Sequence, residues 1–376
     1  MVLCSTFGTS VNEAALEILA REFNVSRTVS MLTLTLYTLG LAFGPLCIAP
    51  LSEIVGRCWI YVITSSLLLA FSAGAGAANN LAILLVCRGL AGFFGSAGVA
   101  IGAGTLADIW CLEKEGGPAS LIFILGPFLG PTMGPLAGAY VLQGHDNDWR
   151  WTQWVMVILC APVCLGTVTI RETLKEKILA KVNDAEKAIS HQEKPTLGQL
   201  VTVGLGRPVK MLCTEVIVLS LTLYTAFAYA MIFSYFASSS YVLSIYYGFD
   251  WQQIGLSFIS VIVGYLLAAF MFGVFDKTLY AKAREAGGGT AAPEHRLYSA
   301  MAGSVLLCVG LFWYSWEAHE GGRWAALVCS GVPFGLGAFS LFLSTITYLV
   351  DVYKARAAAS GEESSLDAAL FPVLPY

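Results

Sequence analysis

Residues 121–140 read LIFILGPFLGPTMGPLAGAY, a run that restricts the fold more tightly than any other stretch. It holds no charged residue and is about long enough to cross a bilayer. Gly126, Gly130, Gly134 and Gly138 recur every four residues, with Pro127, Pro131 and Pro135 beside them at the same spacing. In a helix, residues i and i+4 lie nearly above one another. The glycines therefore make a smooth groove on one face and the prolines a stripe on the next. Each proline lacks an N–H and crowds the carbonyl one turn back. Pro131 thus frees the carbonyl of Pro127, and Pro135 that of Pro131. Such a helix is bent, and another helix can approach it closely. Two glycines would suit an ordinary small-residue packing face. Four, interleaved with three prolines, suggest a helix bent against a moving partner.

The rest of the chain places this helix in a membrane. Of 376 residues, 57% are hydrophobic and 12% charged, against about 25% charged in a soluble domain. Residues 1–9 are apolar, but Asn12 and Glu13 follow at once, so this piece is too short to span and reads as part of a first helix. A polar hairpin is expected at 17–28. Complete spans are expected near 29–49, 58–78, 81–107, 119–143, 150–170, 211–236, 251–275, 297–316 and 324–350. The fold class is an all-α polytopic membrane protein.

Of 21 Lys and Arg, 16 fall on the side that holds residues 171–210 and four fall opposite, at Arg21, Arg27, Arg150 and Arg323. That asymmetry puts 171–210 in the cytoplasm. It reads as a linker between a first helical lobe at 1–170 and a second at 211–350, with a cytoplasmic tail at 351–376. The net charge of −4 argues against nucleic acid as a partner. The ten cysteines lie mostly inside apolar runs and read as small core residues. Met1 to Gly8 has no basic n-region and no cleavage pattern, so no signal peptide is expected.

Arg88 sits seven residues into an apolar helix, about 10 Å from its start. A charge at that depth is costly. It either snorkels to an interface or faces a cavity, and its depth favours the cavity. Between the second and third spans, Pro50 is expected to stop a helix, Ser52 and Glu53 to suit the next turn, and Gly56 and Arg57 to form a basic corner. Asp108 ends the fourth span on the same side and can pair with Arg57. Polar or aromatic residues at helical spacing give candidate cavity positions at Tyr37, Tyr224, Tyr235, Gln253, Ser257, Ser340 and Ser344. Each stripe alone also suits helix packing. No Asp or Glu occupies mid-span, which disfavours a polycation substrate. There is no GxxxxGK[ST] loop, no metal-ligand cluster and no nucleophile–base pair, so neither a cofactor nor an enzymatic activity is expected.

With these residues in place, the chain resembles the major facilitator superfamily, and within it the fungal twelve-span drug:proton antiporters. PLSEIVGR (Pro50–Arg57) is similar to the family's loop signature between helices 2 and 3. CRGLAGFFGS (Cys87–Ser96) resembles the helix 4 signature, GPFLGPTMGPLAG (Gly126–Gly138) the antiporter signature of helix 5, and DWRWTQW (Asp148–Trp154) the entry to helix 6. Ala49 replaces the glycine usual in the loop signature, Cys58 a basic residue, and Arg171 a proline. The resemblance covers roughly residues 8–360.

The resemblance implies a major facilitator fold with two lobes, proton coupling through Arg88, and a cytoplasmic gate around Pro50–Arg57 and Asp108. It implies efflux of a small, largely apolar compound in exchange for protons, from a multi-pass protein of the plasma membrane, with the bilayer as its surroundings. Two further helices would follow residue 360. The run GEESSLDAALFPVLPY is too short and too polar at its start to supply them, so the second lobe reads as incomplete. The alternative is a non-transporting sensor or an inactive remnant of such a transporter. A nutrient importer would lack the helix 5 signature.

Overall fold

The computed structural model describes residues 1–109, 112–174, 213–286 and 293–360, and every regular element among them is helical. In the first half, α1 (Val2–Phe7) and a 3-10 turn (Glu13–Ala15) lead to α2 (Leu16–Glu22). There follow α3 (Arg27–Val55), α4 (Arg57–Gly76), α5 (Leu81–Gly95), α6 (Ala97–Ile109), α7 (Leu112–Gly144) and α8 (Arg150–Thr169). The second half comprises α9 (Val216–Tyr247), α10 (Trp251–Ser257), α11 (Ile259–Phe275), α12 (Ala281–Ala286), α13 (Tyr298–Glu317), α14 (Trp324–Cys329) and α15 (Gly331–Ser360).

Among the described residues, nine helical segments are long and apolar enough to cross a membrane. They fall on the nine expected spans. The largest difference is α9, which runs to Tyr247 instead of ending near 236. Its last turns carry Ser238, Ser239, Ser240 and Tyr241, which look like loop by composition. The chain turns only at Gly248, whose φ of 64° is a left-handed conformation that glycine adopts without steric cost.

A second difference concerns Pro50, which lies inside α3 and does not end it. A proline inside a long helix removes one hydrogen bond and bends the axis without stopping it. The break comes at Gly56, where φ is 100°. Side chains cap the starts of α3 and α5. Ser26 Oγ accepts from Val29 N, and Asn80 Oδ1 accepts from Ala82 N at 2.9 Å.

Within the first half, α3 packs on α5, α4 on α5 and α8, and α1 on α7. Within the second, α15 packs against both α13 and α11. Large apolar side chains point outward from the bundle, among them Ile122, Phe270, Phe312 and Trp316, each more than two-thirds exposed. In a soluble domain that much exposed apolar surface would drive association; in a bilayer it meets lipid. The second half has an aromatic core that includes Tyr235, Phe258, Tyr265, Phe334, Phe339 and Phe342. Ile124 and Phe128 of α7 belong to that same core, so α7 is where the two halves join.

Candidate functional site

The two faces of α7 do different work. Its glycine face lies against α1 and the turn after it. A Cβ at Gly126 would come within 3.1 Å of Val2 Cγ1. One at Gly130 would collide with Thr6 Oγ1, one at Gly134 with Ser10 Oγ, and one at Gly138 with the Val11 carbonyl. The partner of the groove is thus the chain's own first helix, within the same half. The partner also satisfies the backbone that proline disrupts: Ser10 Oγ donates to the Pro131 carbonyl at 2.7 Å, the carbonyl that Pro135 frees. Thr6 Oγ1 donates to Gly126 O at 3.1 Å. Pro127, Pro131 and Pro135 are themselves buried.

The opposite face carries Phe128. Its ring centroid lies 5.0 Å from Phe342, 5.1 Å from Phe339, 5.3 Å from Tyr265 and 6.2 Å from Tyr229. The contacts run edge to face, the arrangement that aromatic quadrupoles favour. Sequence reasoning missed Phe128 because it is one apolar residue in an apolar run. Two turns further along α7, Leu136 meets Gly255 of α10, where an added Cβ would come within 2.7 Å of Leu136 Cα.

Arg88 is 1% exposed, so it does not snorkel. Its Nη2 donates to Gly8 O at 2.7 Å and its Nε to Thr33 O at 3.1 Å, and the guanidinium lies 4.4 Å from the Tyr37 ring centroid. The cation is therefore enclosed among α1, α3 and α5 and held by backbone carbonyls and a π face. Its depth alone suggested a cavity-facing side chain; its two hydrogen bonds go to backbone carbonyls. Tyr37 is fully buried in the same place and donates to Ser5 O at 2.7 Å.

The expected cytoplasmic corner is formed by the end of α3, the start of α4 and the segment after α8. Asp108 is in α6, but its side chain lies outside the described residues, and so does its expected pairing with Arg57. Arg57 is buried against Gly104, and its backbone N donates to Glu172 Oε1 at 3.1 Å. Cys58 N donates to Glu172 Oε2 at 3.4 Å. The segment after α8 thus caps the N-terminus of α4 with a carboxylate, which suits the positive end of the helix dipole. Ser52 is buried, with Oγ donating to Ala49 O at 2.7 Å, and Gly56 N donates to Ser52 O. Glu53 is exposed.

The remaining expected cavity residues are not brought together. Gln253 accepts from Asp250 N at 3.1 Å and caps α10. Ser257 and Ser340 bond carbonyls of their own helices. Ser344 meets Ser299 at 2.5 Å, between α15 and the start of α13. Tyr235 stacks on Phe334 at 4.0 Å within the second half's core, and Tyr224 is 41% exposed.

At the end of the bundle opposite Arg57, buried Trp149 donates from Nε1 to Glu22 Oε2 at 2.6 Å, and Arg150 pairs with the same carboxylate at 3.0 Å. This is the structural use of the DWRW sequence: it ties α2 to α8. Asn12 Oδ1 accepts from Thr152 Oγ1 at 2.7 Å and from Gln153 Nε2. Beside them a vestibule of about 720 Å³ opens between the halves, with Glu17, Arg21 and Glu22 on one side and Asp250, Trp251 and Gln252 on the other.

The family model for the Major Facilitator Superfamily matches residues 1–361. The chain belongs to the major facilitator superfamily. The MFS-type transporter traF of Penicillium crustosum is 36% identical over 358 residues, covering 95% of this chain and 73% of its own length. Efflux pump FUB11 of Gibberella moniliformis is 34% identical over 396 residues, covering 99% of this chain and 64% of its own. Among solved structures, the proton:xylose symporter XylE superposes with a TM-score of 0.63 at 13% identity, over 99% of this chain and 83% of XylE. That likeness shows the shared fold. The chain is accordingly a multi-pass membrane transporter of the superfamily and not an enzyme.

Proposed function

We propose that this transporter exports a small, largely apolar compound across the plasma membrane in exchange for protons. The observation that carries the reading is α7. One helix packs its glycines on α1 and sets Phe128 among Tyr229, Tyr265, Phe339 and Phe342 of the other half. A helix shared in this way transmits any movement of one half to the other. Among the described residues the aromatic cluster packed around Phe128 holds no charged side chain, so a pocket opened there would suit a neutral aromatic compound. Arg88 supplies a fixed positive charge enclosed among α1, α3 and α5, where it biases proton binding elsewhere in the first half. In this reading the lobes are 1–170 and 211–350, the linker 171–210 and the tail 351–376 lie in the cytoplasm, and Pro50–Arg57 with Asp108 form the inner gate.

The name of FUB11, an efflux pump, supports export. The test is retention of a neutral dye. Cells of an exporter-deficient host that express this chain should hold less Nile red than cells that express Phe128→Ala at equal level. Equal retention overturns the reading.

A further inference from the structure

We propose that Glu13 is the proton-accepting residue of the outer seam: closing the seam takes up one proton on its carboxylate, and opening releases it. The proposal rests on the transport reading and adds a proton-sensing residue at the seam between the halves.

Glu13 opens the 3-10 turn Glu13–Ala15, which packs on the outer end of α7. Its Oε1 accepts from Ser240 Oγ of α9 at 3.1 Å, a hydrogen bond that joins the first half of the chain to the second. Ser240 is buried, and Glu13 keeps only part of its surface in water. The surroundings offer little compensation for a negative charge. From Ser120 to Gly144, α7 has no charged residue, and α9 has none from Val216 to Tyr247. Glu17, Arg21 and Glu22 of α2, and Asp250 at the start of α10, line the vestibule instead. Arg27, at the start of α3, is the cation that acts on Glu13.

Glu13 lies outside the nine spans. Burial raises its carboxyl pKa above the usual value, while the Ser240 hydroxyl and the Arg27 charge pull it down. Opening the seam would separate Ser240 from Glu13 and admit water, and the loss of burial would return the pKa toward its ordinary value. The closed form then has the higher pKa. Closure is favoured at low pH and weakens as pH rises through that pKa. The proton is exchanged with the water of the vestibule in both directions, so Glu13 sets the pH at which the seam closes.

The test measures the seam directly. In the full chain in nanodiscs, amide exchange of residues 236–250, corrected for intrinsic rates, is followed from pH 5 to pH 8. Protection should fall with rising pH, by up to about tenfold for each pKa unit that separates the two forms. Glu13→Gln should stay protected throughout, because it is neutral and keeps the shape. Arg27→Gln should move the midpoint to higher pH, because it removes a charge that lowers the pKa. A Glu13→Gln protein with the parent's pH dependence, or a midpoint unmoved in Arg27→Gln, overturns the proposal. Should Glu13→Gln fail to fold, the Arg27 variant decides alone. The readout is conformational, so its failure leaves the transport reading standing, and absence of transport leaves this result standing.

Discussion

Ser10 donates its hydroxyl to the carbonyl of Pro131 at 2.7 Å, filling the hydrogen bond that the ring of Pro135 removes from α7. Both residues are buried. One side chain thus repairs the proline lesion and anchors the first helix to the fifth span. Ser10→Ala leaves that carbonyl buried without this donor. The expected loss is about 1–3 kcal/mol of stability, measured as a lowered midpoint of unfolding in detergent. An unchanged midpoint would mean that the bond contributes nothing net.

The glycine groove makes a sharper prediction. An added Cβ at Gly130 would strike Thr6 Oγ1 and come within 2.7 Å of Phe7 N, and backbone cannot yield as a flexible side chain does. Gly130→Ala should therefore be clearly destabilising, and Gly130→Leu should abolish the folded yield. Gly166 in α8 has open space around it, so Gly166→Ala should be neutral or stabilising by roughly 0.5–1 kcal/mol. Size-exclusion profiles of the three variants separate them. Equal profiles for Gly130→Ala and Gly166→Ala would contradict the close contact.

The spans, the groove and the freed carbonyls were all legible in the sequence, because periodicity and proline chemistry act within one helix. The partner of the groove was not, since nothing in residues 121–140 says which helix lies on them. The candidate cavity residues are not brought together, for a related reason. Hydroxyls at helical spacing look like a polar stripe, but Ser257 and Ser340 donate to carbonyls of their own helices, which satisfies those donors within one helix. Glu13 escaped notice because it ends an apolar piece too short to count as a span. Only the fold sets it against Ser240.

Arg88 should matter for folding as well as transport. Its two backbone acceptors, Gly8 O and Thr33 O, lie on α3 and the turn after α1. Arg88→Ala should cost about 1.5–3 kcal/mol, the range for hydrogen bonds to a charged group. Arg88→Lys should recover part of it, because an ammonium keeps the charge but not the planar fork. Thermal unfolding with and without transport measurements distinguishes the two effects. Full stability of Arg88→Ala would show that the bonds are not structural.

The carboxylate of Glu172 caps α4 through Arg57 N and Cys58 N. Glu172→Ala should destabilise by roughly 0.5–2 kcal/mol, the cost of losing an N-terminal cap. Glu172→Gln should fall between, keeping an acceptor but losing the charge that complements the helix dipole. If Glu172→Gln equals Glu172→Ala, the charge carries the whole effect; if neither differs from the parent, the cap is dispensable.

The most direct test of coupled export uses right-side-out proteoliposomes holding trapped pyranine and a neutral coumarin. Acidifying the outer solution should speed loss of the coumarin, and pyranine should report proton entry at the same time. Both should be absent in Phe128→Ala liposomes of equal protein content. Coumarin loss at the same rate with and without the proton gradient would contradict the account.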